Sequence, residues 1–304
     1  MDTVDVRANR VGRRQRGLAT RRQLLEAGIS ARTIARRVTA GHWREQVPPV
    51  IDLGTHQDTW HRSVQRLLLA AGDRAWASHS TAAYLHSFLD AERPRSVDVL
   101  VPRDRHAAIG GVRLHTTVSI GLDETTVADG LRVTTPARTL LDLAAATPPD
   151  ELERFALDLA RRRPRVVEEI ALLVDRRRGA SGRRRLLGVL ADLPRDVARI
   201  ESPLEVRGIQ VLRRAGLPPP RLQYVVRDRD GTPIKRVDAA WPAARVVVEF
   251  DGAAYHDLAR QREHDAAVRA RMEAAGWQVI VVRAADLSGD RLAALLRRLR
   301  AAVT

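Results

Sequence analysis

The chain of 304 residues is 44% hydrophobic, 29% charged and free of cysteine, so it can form two or three domains without disulfides, thiolate metal sites or cysteine nucleophiles. No apolar run approaches the ~18 residues of a membrane helix, and the N-terminus lacks the apolar core of a signal peptide, so we expect a soluble, cytoplasmic protein with no membrane partner. Its net charge of +15 indicates a polyanionic partner, with nucleic acid as the first candidate.

Two short helices are predicted near the N-terminus, where residues 1–50 hold 11 arginines against 4 acidic residues. Thr20 caps the first helix and Gln23 completes a capping box, while Ser30 caps the second helix. Their spacing predicts a helix-turn-helix on double-stranded DNA, followed by a β-wing in HWREQVPPVIDLG. A solvated basic helix pair is the alternative. The outer face of the second helix supplies the predicted DNA-binding residues: Arg32, Thr33, Arg36 and Arg37.

The middle of the chain mixes predicted helices and strands. The predicted helices are RSVQRLLLAAG, SHSTAAYLHSF and PARTLLDLAAAT. The predicted strands are SVDVLVP, GVRLHTT and GLRVTT. Ser78, His79 and His115 suggest catalysis, but single histidines beside apolar helices are more often hydrogen-bonded core residues. Residues 151–200 are helical and basic, so they form either a solvated linker or a contact with the DNA backbone.

Two segments resemble the AbiEi-type abortive-infection antitoxins. The pattern G-L-A-T-R-x-Q-L-L-x-x-G-I-S-x-x-T-I, within residues 15–55, resembles the N-terminal winged helix of that family. The segment T-T-P-A-R-T-L-L-D-L resembles its C-terminal region. The resemblance implies a DNA-binding antitoxin and a cognate toxin as partner. The wing departs from the family, because PPVIDLG stands where Gly-Val-Tyr is usual.

The last hundred residues predict the element order α-β-β-β-α-β-α, with acidic residues inside apolar strands. Asp238 and Glu249 lie on adjacent predicted strands, where burying a carboxylate is costly unless something pairs with it. They could share Mg²⁺ (or Mn²⁺), with Glu205 as a third carboxylate. Asp251 points to the same face as Glu249, and His256 follows the turn after it. Ion pairs with arginines such as Arg236 or Arg245 are the alternative.

This region, about residues 201–303, resembles the very-short-patch-repair (Vsr)-like branch of the PD-(D/E)XK nucleases. Four segments match that branch in order and spacing: S-P-L-E, R-V-D-A-A-W-P, V-V-V-E-F-D-G-x-x-Y-H and E-A-A-G-W-Q-V. The resemblance implies metal-dependent phosphodiester hydrolysis with Asp238 and Glu249 as metal ligands. It assigns Glu205 and Gln223 as supporting residues, and His256 as a base or a phosphate contact. The remaining catalytic candidate, Asp251, replaces the usual lysine and could take the proton of a bound water.

Lys235 is not expected to substitute for that lysine, because a residue three positions before Asp238 should face the other side of its strand.

The sequence therefore predicts a multidomain α+β protein. Its segments are a winged helix-turn-helix (1–55), an antitoxin-like α+β domain (56–150), a basic helical linker (151–200) and a restriction-endonuclease-like mixed sheet flanked by helices (201–304). The leading hypothesis is a Mg²⁺-dependent DNA endonuclease, with defence against mobile DNA as one context. The rival is a DNA-binding regulator or antitoxin whose nuclease-like domain is inactive. RNA binding is disfavoured, since 4% of residues are aromatic.

Overall fold

The computed structural model describes residues 3–54, 56–104, 109–252 and 259–303. The chain divides into two units, one of Met1–Ala146 with Glu169–Arg183 and one of Thr147–Glu168 with Arg184–Thr304. The segment 151–200 is thus divided between both units, while the boundaries predicted from sequence stay predictions. In the part of the chain that the structure describes, no helix has the length and apolar character needed to cross a membrane.

The first unit begins with three helices and an antiparallel three-stranded sheet, in which β3 lies between β1 and β2. Ile34, Trp43 and Ile51 belong to its buried core. Both helices predicted here are confirmed, whereas the first helix was not predicted. The elements are α1 (Thr3–Gly12), β1 (Leu18–Thr20), α2 (Arg21–Glu26), α3 (Ala31–Thr39), β2 (Arg44–Val47) and β3 (Val50–Asp52).

Local hydrogen bonds explain where α2 and α3 begin. Thr20 Oγ1 accepts from the Gln23 backbone N–H at 3.2 Å, and Gln23 Oε1 accepts from the Thr20 N–H at 2.9 Å. This is the predicted capping box, which satisfies two N–H groups that the helix leaves free. Ser30 Oγ caps α3 by accepting from the Thr33 N–H at 3.2 Å. Between the two helices, Gly28 adopts φ +76°, a conformation that favours glycine.

The rest of the first unit is built on a five-stranded mixed sheet of order β6-β5-β4-β8-β7. The pairs β5–β6 and β4–β8 are parallel, and the pairs β4–β5 and β7–β8 are antiparallel. All six elements predicted from sequence are confirmed, and β4 and β7 are additional. The elements are α4 (Trp60–Ala71), β4 (Trp76–Ala77), α5 (His79–Leu85), β5 (Val97–Pro102), β6 (Val112–Thr117), β7 (Thr125–Ala128), β8 (Leu131–Thr134) and α6 (Pro136–Leu143).

The N-terminal helices and the five-stranded sheet share contacts within the first unit. Leu18 and Val50 pack in one buried cluster with Leu69, which lies on α4. The Arg62 guanidinium also donates to Asp52 Oδ1 at 2.6 Å, and both side chains are buried. A buried ion pair with a missing partner is strongly destabilising. Cutting the chain near residue 55 would therefore expose core and leave one buried charge unpaired.

Three helices follow: α7 (Pro149–Arg162), α8 (Val166–Arg176) and α9 (Arg183–Ala191). Part of the predicted basic surface of this region is engaged in internal ion pairs. Arg161 and Arg162 both pair with the buried Asp158 at 2.8 Å. Pairing of these arginines reduces the positive charge left for DNA phosphates, which favours the linker interpretation over the backbone contact.

The second unit contains a four-stranded sheet of order β12-β11-β10-β9, in which β11 and β12 are parallel and the other neighbours antiparallel. Val237, Val247 and Trp277 belong to its buried core. The predicted order α-β-β-β-α-β-α is confirmed. The elements are α10 (Pro203–Arg214), β9 (Arg221–Arg227), β10 (Pro233–Trp241), β11 (Val246–Asp251), α11 (Ala259–Ala274), β12 (Gln278–Arg283) and α12 (Gly289–Val303).

Candidate functional site

The strands that carry the two predicted metal ligands separate beside Asp238. The pairing of β10 with β11 runs from Trp241–Val246 to Ala239–Val248 and stops there. The next free donor on β11, the Phe250 N–H, binds the Asp238 side chain instead, at 2.7 Å from Oδ2. A carboxylate thus takes the place of a backbone carbonyl, and this side chain lies at the opening between the two strands.

Glu205 and Gln223 form a hydrogen-bonded pair in the same unit. Glu205 is buried in the first turn of α10, and its Oε2 accepts from the Gln223 side-chain amide at 3.2 Å and from the Glu201 N–H at 3.0 Å. Gln223 adopts φ +50°, a strained conformation for a residue other than glycine, and such strain often occurs at functional sites. The neighbours of Gln223 on β9 pair with the neighbours of Asp238 on β10, so Gln223 and Asp238 lie opposite each other.

Lys235 lies at this site, contrary to the prediction from strand alternation. Its Nζ is 2.6 Å from Oε1 of Glu249, an oxygen that is buried and has no completed hydrogen bond. β10 keeps a regular register with β9 from Lys235 to Ala240, so the ion pair shows only that the long lysine side chain reaches Glu249 on the neighbouring strand. Sequence reasoning considered this residue, the only lysine in the chain, and excluded it from the site.

The electrostatics of Asp238 are unusual for a surface carboxyl group. Burial raises its pKa to about 6, and the carboxylates of Glu205 and Glu249 act in the same direction. The Phe250 N–H and the Lys235 ammonium partly oppose the increase in pKa. A carboxyl group that titrates near neutral pH because of burial and like charges marks a candidate functional site.

The other residues predicted for this site either have partners other than Asp238 and Glu249 or lie outside the residues that the structure describes. Asp251 is exposed and accepts from Arg283 Nε at 3.2 Å. His256 lies outside the described residues, so its predicted role stays a prediction. The arginines of the alternative interpretation are used elsewhere: Arg236 pairs with Glu201 at 2.9 Å, and Arg245 donates to the Ala275 carbonyl at 2.7 Å.

The donor set allows a chemical test of the predicted cation. Asp238 and Glu249 offer hard oxygen atoms, which suit Mg²⁺ or Mn²⁺, and one of these atoms lacks a completed hydrogen bond. Within residues 3–54, 56–104, 109–252 and 259–303, however, no group of three acidic or imidazole side chains is arranged to hold a metal ion. A cation held by Asp238 and Glu249, with water as its remaining ligands, therefore stays a prediction.

The predicted DNA-binding residues differ in their exposure and in whether their side chains already have partners. Arg32 and Arg36 are exposed on α3, and neither has a hydrogen-bond or ion-pair partner among the residues described here. Thr33 faces its own cap, with Oγ1 at 2.9 Å from Ser30 Oγ. Arg37 pairs with Asp5 at 3.1 Å and lies 5.8 Å from the centre of the Trp43 ring. The first two arginines are therefore available to a ligand, and Arg37 contributes to the packing of α1 against α3.

Comparison with known proteins finds a family model that matches the middle of the chain. Residues 75–192 match the AbiEi antitoxin C-terminal domain, which confirms that part of the predicted resemblance. The uncharacterized proteins MT2308 and Rv2248 of Mycobacterium tuberculosis are each 31% identical to this chain over 234 residues, 75% of this chain and 82% of each relative. The crystal structure of the RV2827C protein of the same organism covers 66% of this chain and 75% of its own, with 15% identity and a TM-score of 0.35. The chain therefore belongs to the family of MT2308 and Rv2248, and its residues 75–192 are similar to the AbiEi antitoxin C-terminal domain.

Proposed function

We propose that this protein is a DNA-binding regulator of the antitoxin class, which contacts duplex DNA through α3 of an N-terminal winged helix. The observation that carries the proposal is the pair Arg32 and Arg36, exposed and without partners in the described residues. Ile34 of the same helix is fully buried, so α3 presents opposite faces to the core and to solvent. In a helix-turn-helix, the second helix enters the major groove.

The order of elements supports this assignment. A helix and a short strand precede α2 and α3, and the β2–β3 hairpin follows them as a wing would. Arginine can bind phosphates or the guanine edge through two hydrogen bonds, so two free arginines on this face suit both backbone and base contacts.

The test is duplex binding by a double variant, Arg32→Ala with Arg36→Ala. The control is Arg93→Ala with Arg95→Ala, which removes the same charge from exposed positions of the same unit. Fluorescence anisotropy would use the DNA upstream of the coding sequence and a scrambled duplex of equal length. We expect the α3 variant to lose at least tenfold in affinity and the control less than twofold. Equal losses would show that only net charge matters and would contradict the assignment.

The antitoxin part of the proposal is supported by the AbiEi domain match. An antitoxin is expected to restore growth to cells that express its cognate toxin. The test is co-expression with the neighbouring gene product on the chromosome, followed by growth measurement and co-purification. If that product is toxic and this chain neither restores growth nor binds it, the antitoxin assignment is wrong while DNA binding by α3 stands.

A second candidate function, Mg²⁺-dependent DNA cleavage, is supported by the proximity of Lys235, the buried Glu249 oxygen and Asp238. Asp238 and Glu249 would hold the cation, and Glu205 would keep Gln223 in place through their hydrogen bond. The bound cation would supply polarisation of the phosphate and activation of a water. Lys235 would lie close enough to the site to neutralise a phosphate oxygen.

Plasmid nicking with Mg²⁺, Mn²⁺ or EDTA tests this candidate, together with the melting temperature in each condition. A cation that binds the folded state stabilises it by about 2.7 kcal/mol at a hundred times its dissociation constant. We expect Asp238→Asn and Glu249→Gln to abolish both the stabilisation and the nicking. Asp230→Asn, in the exposed β9–β10 turn, is the control. A wild type with neither response would exclude the nuclease and leave the regulator proposal intact.

A further inference from the structure

A cavity of about 870 Å³ opens within the first unit, beside β6, α6 and residues 176–181. Cavities of this size are typical of sites for small organic ligands. Leu114 and Leu141 line its apolar wall, whereas the polar residues that line it differ between its buried end and its exposed end. The buried end carries a carboxylate and two imidazoles, and the exposed end carries arginines. None of these residues takes part in DNA contact by α3 or in the carboxylate site of the second unit.

Asp142 places an acceptor without a donor at the buried end. Its side chain is 9% exposed, and Oδ1 accepts from Arg138 Nε at 2.8 Å. The other oxygen, Oδ2, is buried and has no hydrogen-bond partner. Burial raises the pKa of this carboxyl group, although the Arg138 guanidinium opposes the rise. Buried polar atoms are rarely left unsatisfied, so Oδ2 is suited to an N–H donor on a ligand.

Two imidazole rings provide a flat surface next to this acceptor. His79 and His115 stack with ring centres 3.6 Å apart and planes at 17°. His115 Nε2 is 2.9 Å from Asp98 Oδ1, and His79 Nδ1 is 3.0 Å from Ser78 Oγ. Burial, and then the proximity of His115, lowers the pKa of His79 to about 4, so His79 is neutral at pH 7. Flat rings beside leucines suit a planar heterocycle.

The exposed end of the cavity is cationic. Arg103 is exposed and has no ion-pair partner in the described residues. Arg176 and Arg178 pair with Asp123 and Asp175, but their side chains are 55% and 78% exposed, so a stronger anion can reach them. Arginine binds phosphate with two parallel hydrogen bonds, and exposed pairs to carboxylates contribute little to stability.

We propose that this cavity binds a nucleotide, with its phosphate at Arg103 and Arg178 and a base N–H at Asp142 Oδ2. Each part of the ligand matches one part of the lining: the phosphate matches the arginines, the planar base matches the imidazoles and leucines, and the N–H matches the orphaned oxygen. A free mononucleotide and the terminal nucleotide of a nucleic acid strand share this chemistry. The inference stands independently of DNA binding by α3.

Isothermal titration of the full chain with the four common ribonucleoside monophosphates and their diphosphates tests the proposal, with inorganic phosphate as the reference. We expect one nucleotide to bind at least tenfold more tightly than inorganic phosphate. Competition with a 5′-phosphorylated dinucleotide and decanucleotide distinguishes the two sources. Preference for the free nucleotide indicates a mononucleotide site, and preference for the oligonucleotides indicates a strand-end site; either supports the proposal.

Three variants locate the binding. Arg103→Ala, at an exposed position that should not affect folding, is expected to weaken nucleotide binding at least tenfold. Asp142→Asn should weaken nucleotide binding but not phosphate binding; if it does not fold, Ser181→Trp, which fills the opening, replaces it. Arg95→Ala is the control. Absence of nucleotide binding, equal binding of inorganic phosphate, or unchanged affinity in Arg103→Ala and Ser181→Trp would overturn the proposal.

Discussion

Glu124 connects two arginines in the interior of the first unit, and its charge should be essential to folding. It is 4% exposed, pairs with Arg138, and accepts from Arg177 Nε at 3.1 Å. Glu124→Gln would keep the shape but leave two guanidinium groups with less compensating charge. We expect a loss of about 3 kcal/mol in the free energy of unfolding, measured by urea denaturation.

The neighbouring residue is a matched control for that variant. Asp123 pairs with Arg176, and both side chains are more than half exposed. Exposed ion pairs contribute roughly 0 to 1 kcal/mol, so Asp123→Asn should lie within that range. Similar losses for the two variants would show that burial of Glu124 does not decide its contribution.

Asp238 should make the stability of the second unit depend on pH. Its folded pKa of about 6 lies above the value of about 4 in an unfolded chain. The folded state therefore holds the proton more tightly, so stability is greatest below about pH 4 and falls as the pH rises to about 6. Asp238→Asn removes this dependence and should be more stable than the wild type above pH 7, by about 1 kcal/mol after solvent screening.

Urea denaturation of both proteins from pH 4 to pH 8 would test this, with the difference in the free energy of unfolding as the readout. A difference that stays constant across this range would mean that the carboxyl group titrates normally in the folded protein. Addition of a divalent cation provides a further check, since a bound cation should lower the pKa of Asp238. The wild type should then be more stable than Asp238→Asn, which reverses the sign of the difference in the free energy of unfolding.

The carboxylates of the second unit were predictable because acidic residues inside apolar strands are rare and costly. Adjacency of β10 and β11 then follows from the order of the strands. The position of Lys235 was not predictable from alternation, since its long side chain pairs with Glu249 of the neighbouring strand. The sequence singled out His79 and His115 but did not predict the cavity that they line, because the rest of its lining comes from segments distant along the chain.

At the level of elements, strong local signals predicted well and weak ones did not. Capping residues and hydrophobic periodicity located α2, α3 and α10. The helix α1 was not predicted, although Val4, Ala8 and Val11 recur at helical spacing and pack on the core, because these small apolar residues stand between arginines and no capping signal marks the start of the helix. β4 has two residues, too few for an alternating pattern, and exists because β5 and β8 pair with it from both sides.

The packing of α10 on β11 depends on the absence of a side chain at Gly208. A Cβ at this position would overlap the ring of Phe250, the residue whose N–H binds Asp238. Overpacking a core contact costs about 1 to 3 kcal/mol, so we expect Gly208→Ala to destabilise the protein by that amount in urea denaturation.

Gly188, in the middle of α9, is the control, because a Cβ there would meet no atom within 4 Å. Replacing an exposed helical glycine by alanine stabilises a helix by up to about 1 kcal/mol, so Gly188→Ala should shift stability in the opposite direction. If both variants are stabilised, Phe250 moves aside without cost and the contact does not fix α10.

At the scale of the whole molecule, net charge overstates the surface open to DNA. The sum of +15 includes Arg161 and Arg162, which already pair with Asp158, whereas Arg32 and Arg36 have no partner in the described part of the chain. The position of unpaired charge should therefore decide affinity more than its total.

The dependence of duplex affinity on salt tests that expectation in the intact chain, since a chain shortened to residues 51–304 would lose the packing of Leu18 against Leu69 on α4. Each phosphate neutralised contributes a slope of about −0.9 in log K against log[salt]. Replacing both Arg32 and Arg36 with alanine should therefore reduce the magnitude of the slope by about 2, measured by anisotropy between roughly 50 and 200 mM salt. Replacing both Arg93 and Arg95 should leave the slope unchanged, because those residues lie outside α3. A slope that falls equally in both variants would place the phosphate contacts on a diffuse basic surface instead of on α3.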